Sequence, residues 1–197
     1  ALETGNTDKL AMFRQECQQK GILVLPPDIN RSSSSFAVET IKHDKADDVL
    51  AVRYALSAIK NVGFEAMNRL TNIRNLDGPF HSLEDFLKRL PREVINRRQM
   101  EALARAGALD KIHNNRREII ENIDFILSHA DTMRRESESN QDSLFANKKG
   151  VVDDKIRLRE VNDWVGVERL KEEFDSLGLY LSAHPLDSYY HIHEDNR

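Results

Sequence analysis

Ala58-Ile59-Lys60-Asn61-Val62-Gly63-Phe64-Glu65-Ala66-Met67 is the stretch on which the fold turns. A short helix from residue 55 ends near Lys60, Asn61-Val62-Gly63 breaks it, and a second helix covers about 64–75. Ile59, Val62, Met67 and Leu70 flank the break and would lock the two helices together. Asn61 tolerates left-handed backbone angles, so a tight turn can form there without glycine. Such a turn presents backbone N–H groups at the start of the second helix, where they and the local dipole can hold phosphate oxygens.

Outward from this turn the pattern is helical. Ser82-x-x-Asp85 opens a helix that Pro91 ends, and Asn96-x-x-Gln99 opens another that stops at Gly107. Ile119, Ile120, Ile123, Ile126 and Leu127 form the stripe of a long helix over about 115–135, and a last helix covers about 162–176 before Gly178. Toward the N-terminus, Leu10, Phe13 and Cys17 mark a helix over 6–20 with Gly21 as its stop. Ile22-Leu23-Val24-Leu25 is too short for a helix and ends at Pro26-Pro27. Two β-like runs, 36–39 and 49–54, predict a small hairpin across the polar stretch between them.

The fold class expected is therefore mainly α, a helical module with a small β-hairpin near residues 36–54. Four parts follow: 1–54 with the hairpin, 55–135 with the paired helices, 136–160 flexible, and 161–197 with the last helix and a tail. Leu10, Phe13, Leu25, Phe36, Ile59, Phe86, Leu103, Ile119 and Ile123 are expected to be buried.

With 197 residues, 40% hydrophobic and 31% charged, the chain can bury a core but reads neither as fibrous nor as fully disordered. No run approaches the ~18 apolar residues of a membrane span, and Ala1–Asn6 shows no signal-peptide leader. An initial alanine points to a processed or excised piece. The lone Cys17 cannot form an internal disulfide, which fits a reducing, cytoplasmic setting.

Charge is uneven. The formal net charge is −4, yet Ser57–Arg117 holds twelve Lys/Arg against seven acids, a local +5 that suits a polyanion. No catalytic centre assembles. The histidines, including His191-x-His193, lack partners at metal-ligand spacing, Asp47-Asp48 and Asp153-Asp154 read as solvated pairs, and Cys17 lies on an apolar face. Residues 136–150 are polar except for Leu144 and Phe145, and cannot fold alone. Gln141-Asp142-Ser143-Leu144-Phe145 thus has the form of a linear motif, two apolar anchors and a hydrogen-bonding glutamine.

The break at 61–63 resembles a helix–hairpin–helix DNA-binding motif, with Asn61 where a glycine is common. Residues 141–145 resemble the pentapeptide by which bacterial replication proteins bind the β sliding clamp, with Asp142 at a position usually leucine. Three further stretches make a wider resemblance specific. They are Gly21-Ile22-x-Val24-Leu25-Pro26-Pro27-Asp28-Ile29-Asn30-x-Ser32 with Phe36, Asn96-Arg97-Arg98-x-x-Glu101-x-Leu103-x-x-Ala106-Gly107-Ala108-Leu109-Asp110, and Leu177-Gly178-Leu179-Tyr180-Leu181-Ser182-x-His184-Pro185-Leu186-Asp187. With them, residues 6–190 resemble the alpha subunits of bacterial DNA polymerase III, the C-family replicative polymerases.

That resemblance implies an internal fragment: late fingers, helix–hairpin–helix and clamp-binding segment. The catalytic carboxylates and their magnesium would lie in a palm domain upstream, so the fragment would have no cofactor and no activity alone. Lys60, Asn61, Val62 and Gly63 would meet the duplex DNA backbone, with Arg97 and Arg98 as weaker contacts. Gln141, Asp142, Ser143, Leu144 and Phe145 would meet the clamp, and other subunits of the polymerase III holoenzyme would be further partners. Two alternatives stay open at the level of sequence: a free-standing helical DNA-binding or clamp-interacting accessory module, and a scaffold without DNA affinity.

Overall fold

A computed structural model describes residues 12, 13, 15–17, 19–42, 48–142 and 155–183, with only the backbone described for 136–142. Among these residues the chain is mostly helical, with one three-stranded sheet. Strands β1 (Leu23–Leu25), β2 (Ala37–Ile41) and β3 (Val49–Arg53) pair in the order β1-β3-β2. β2 and β3 form the expected antiparallel hairpin, with Val38 opposite Val52. The run before Pro26 adds a strand that the sequence did not announce: β1 lies parallel to β3, Leu23 opposite Ala51. A three-residue strand is stable only against a partner already formed.

The helices follow as α1 (Phe64–Asp77), α2 (Leu83–Arg89), α3 (Arg97–Arg105), α4 (Arg116–Glu121), α5 (Ile123–Asp142) and α6 (Val167–Leu177). The short helix expected before α1 is instead a single 3-10 turn, Leu56–Ala58. Caps behave as their residue types require. Asn96 and Gln99 close a reciprocal capping box on α3, and the Ser82 hydroxyl accepts from the Asp85 N–H at 3.2 Å. Asp85 then turns back to the His81 N–H, 3.0 Å away, rather than to Ser82.

Two expectations about helices are corrected. The helix placed over 115–135 is broken at Asn122, whose side chain donates to the Glu118 carbonyl and to Arg159 O. An asparagine bonded to backbone in this way competes with the helical ladder. α5 then continues past residue 135 to Asp142, because extending a formed helix costs little once its first turns are paid for by packing.

The core gathers around Tyr54, Leu56, Ile59, Met67, Leu70, Phe80, Phe86, Leu87, Ile95, Met100 and Leu103. Of the residues expected inside, Ile59, Phe86, Leu103, Ile119 and Ile123 are buried, while Leu25 and Phe36 are half-buried. Leu10 lies outside the described residues. Phe13 is a correction: it is 39% exposed. Its ring lies 5.8 Å from that of Phe36, which meets Tyr54 at 5.1 Å. The three rings step from surface to core, and Phe13 is the outermost. Cys17 is buried as expected, and burial pushes its thiol pKa up.

Three polar arrangements fix the conformation of the resembling stretches. In the first, Asn30 exchanges hydrogen bonds with the Phe80 backbone at 2.7 Å each way, and Arg74 donates to Ile29 O and Ser32 O. In the second, Gly107 ends α3 at φ +77° and Arg116 sits against it, forked onto Asp110 at 2.9 and 2.8 Å. In the third, Glu173 is 1% exposed and accepts from Leu181 N, Ser182 N and the Ser182 hydroxyl.

Candidate nucleic-acid interface

The turn at 61–63 has the geometry its sequence implies. Asn61 adopts φ +68°, the only positive φ of a non-glycine residue among those described. Ile59 and Val62 are buried and hold the turn from beneath, while Lys60, Asn61 and Gly63 are exposed. Gly63 is the N-cap of α1 at φ −82°, ψ 142° and contributes no side-chain cap. The first N–H groups of α1 therefore have to be met from outside the helix. They lie at its positive end, where an anion is favoured.

The turn is anchored to distant parts of the chain. The Lys60 N–H donates to Ser176 O at 3.0 Å. The buried Tyr54 hydroxyl donates to Leu177 O at 3.0 Å and approaches Ala58 O at 3.3 Å, and burial holds its pKa well above the usual phenol range. These bonds join the turn to the end of α6.

Arg98 reaches the turn from α3, its Nη2 donating to Asn61 Oδ1 at 2.6 Å. Arg97, its neighbour on the same helix, points elsewhere: it pairs with Glu101 at 3.0 Å and with Asp124, and these partners raise its pKa. Consecutive helical residues diverge by about 100°, so only one of the two can face the turn. Of the arginine pair quoted from the sequence, the structure brings Arg98 to the hairpin and commits Arg97 to α5.

A cleft of about 370 Å3 beside the turn is lined by Lys60, Asn61, Arg98, Glu101, Arg105 and Glu172, among others. Its acids have their own cations. Glu101 pairs with Arg97, Glu172 with Arg105, and Asp175 with Lys171 at 3.2 Å. With those charges matched, Lys60 and Arg98 add positive charge beside the exposed helix start. Exposed backbone N–H groups with two cations beside them form an arrangement that phosphate oxygens can occupy.

Arg105 and the α6 residues on this cleft were not singled out from the sequence; the Arg105–Glu172 pair crosses from α3 to α6, which no local pattern reports. Among the described residues, no group of three or more His, Cys, Asp or Glu side chains is placed to hold a metal ion, and no helix is long and apolar enough to cross a membrane. Gln141 and Asp142 form the backbone end of α5. Ser143, Leu144 and Phe145 lie outside the described residues, as do Asp47, Asp153-Asp154, His184-Pro185-Leu186-Asp187, His191 and His193.

A family model described as a helix-hairpin-helix motif matches residues 21–119. The DNA polymerase III subunit alpha of Caulobacter vibrioides is 40% identical over 187 residues, which is 95% of this chain and 15% of that protein. The corresponding subunit of Neisseria meningitidis serogroup A is 39% identical over the same shares. That of Thermus aquaticus is 35% identical over 96% of this chain and 14% of its own length. The chain thus spans about 15% of the length of these relatives.

Proposed function

Because this chain belongs to the helix–hairpin–helix family and is homologous along almost its whole length to bacterial DNA polymerase III alpha subunits, we propose that it serves within a template-directed DNA polymerase. Its work there is to grip the duplex backbone and to tether the enzyme to the sliding clamp. The observation that carries the first part is the hairpin: a left-handed Asn61, an uncapped start to α1, and Arg98 drawn in beside Lys60. In this reading the magnesium-dependent transfer step belongs to carboxylates elsewhere in the longer polymerase, and the chain alone is inactive.

Duplex binding should be indifferent to base sequence and should weaken steeply with salt, because each neutralised phosphate releases condensed counterions. Lys60→Glu should lower affinity for all duplexes alike and flatten the plot of log affinity against log salt by about one. Anisotropy titrations of labelled duplexes over a salt series measure both. Wild-type affinity in this variant would make the hairpin a structural corner.

The tether is assigned to Gln141, Asp142, Ser143, Leu144 and Phe145, on the strength of two apolar anchors set in a polar segment. A five-residue contact that leans on two apolar side chains holds its partner weakly, at about micromolar Kd. Within a clamp encircling DNA that is sufficient, since the second encounter is intramolecular. Leu144→Ala with Phe145→Ala should abolish heat on titration with the sliding clamp and leave the thermal melt in place. A lowered melting temperature with unchanged clamp affinity would instead make the two side chains part of the fold.

A further inference from the structure

We infer that Asn61 meets duplex phosphate through its side-chain amide, with Nδ2 as the donor, and that Arg98 is the positioning residue that turns the amide that way. The inference rests on the proposed duplex grip. It adds a side-chain contact to the backbone N–H groups of the turn.

An asparagine in the left-handed region ordinarily bonds its side chain to nearby backbone. Asn61, at φ +68°, does otherwise. Its Oδ1 accepts from Arg98 Nη2 at 2.6 Å, from a helix 37 residues further along the chain. A guanidinium carries donors only, so the amide atom it meets has to be the oxygen. With the oxygen held toward α3, Nδ2 and its two protons are directed away from Arg98. Among the described residues nothing accepts from Nδ2. Asn61 is exposed and lines the cleft with Lys60 and Arg98.

The backbone on either side is already fixed. The Lys60 N–H donates to Ser176 O at 3.0 Å, and the Val62 N–H to Ile59 O at 3.2 Å. Glycine at 61 would make the same turn but would leave no side-chain donor. An amide N–H on a phosphate oxygen is charge-assisted, stronger than a bond between neutral groups, and asparagine is among the side chains that meet phosphate. Because the amide carries no charge, it strengthens binding without releasing counterions. That separates its effect from that of Lys60.

The test is anisotropy titration of a labelled duplex over a salt series. Glycine and aspartate both accept a positive φ, so neither substitution at 61 removes the turn. Asn61→Gly should lower affinity about tenfold at every salt concentration and leave the log–log slope unchanged. Asn61→Asp keeps the bond to Arg98 and puts an oxygen where Nδ2 stood, so it should bind more weakly than Asn61→Gly. Arg98→Ala should cost about tenfold in the wild-type turn and less than about threefold in the Asn61→Gly turn, because its effect passes through the amide. Wild-type affinity in Asn61→Gly, with Lys60→Glu weakened, would overturn the amide contact and leave the grip standing. Wild-type affinity in both would overturn the grip with it. Asn61→Asp binding at least as tightly as Asn61→Gly would mean that the side chain faces away from phosphate, and would overturn the contact. Equal loss from Arg98→Ala in both turns, with the slope lowered by about 0.9, would make Arg98 a phosphate contact of its own and overturn its positioning role.

Discussion

Gly107 shows how one residue type is dictated twice over. Its φ of +77° is strained for any residue with a side chain, and a Cβ built there would lie 2.1 Å from Arg116 Nη2. The Arg116 guanidinium cannot retreat freely, because Asp110 holds it by two bonds and Arg105 O accepts a third. This explains Ala106-Gly107-Ala108-Leu109-Asp110 as a unit: the glycine makes the left-handed turn and the room, and the aspartate fixes what fills it. Gly107→Ala should cost about 2–4 kcal/mol, from left-handed strain and a disturbed charged hydrogen bond. Gly63→Ala, with nothing within 4 Å of the added carbon and no positive φ, should change stability little. Urea melts of the two variants make the comparison. The glycine was legible in the sequence as a helix stop; its clash with a side chain from the next helix was not.

Among the elements, the β-hairpin carries a forked ion pair between its two strands, with Arg31 as a second partner of the same carboxylate at 3.1 Å. Arg53 is buried on β3 and forks onto Glu39 of β2 at 2.9 and 2.7 Å, with a third bond to Pro26 O. The hydrogen bond from Arg53 holds the Glu39 carboxyl below its ordinary pKa. Folding therefore favours the ionised form, and the stabilisation is complete above the unfolded value of about 4.3 and is lost as pH falls through the folded one. Glu39→Gln should lower stability near neutrality by about 1.5–3 kcal/mol. The gap to wild type should close on acidification below pH 4, which melts at a series of pH values would follow. A gap that widened in acid would assign the pair no stabilising role. The alternation of 36–39 and 49–54 announced the hairpin, whereas its third strand depended on a parallel partner distant in sequence.

At the scale of the whole molecule, residues 155–163 run back over the helices as an extended strap. Asn122 binds the Arg159 backbone from both sides, at 2.9 and 3.0 Å, and Asn115 donates to Val161 O at 2.6 Å. Asp163 accepts from Arg117 N, and Glu84 accepts from Ile156 N. The strap delivers the chain to α6, whose end supports the hairpin through Ser176 O and Leu177 O. Asn122→Ala should cost about 2–4 kcal/mol for three bonds lost, two to the strap and one to Glu118 O. Hydrogen exchange should rise at 156–161 before it rises in α3, since local opening follows the loss of local bonds. Uniform acceleration across the molecule would show that the strap opens only with the global fold.

Some of this protein is a property of its sequence alone. Helix starts at Ser82 and Asn96, stops at Gly107 and Gly178 and the turn at Asn61 rest on neighbours a few residues apart, and the β2–β3 hairpin on strands joined by one short connection. Local sterics and local hydrogen bonds settle such features, so they can be read without a structure. The tertiary structure decided the rest. It sorted Arg98 to the hairpin and Arg97 to Asp124, left Phe13 at the surface, broke the long helix at Asn122 and laid the strap across it. Each of these depends on which distant group arrives beside a residue. A chain pattern can say that a side chain is apolar or charged, but its partner is set only when the elements pack.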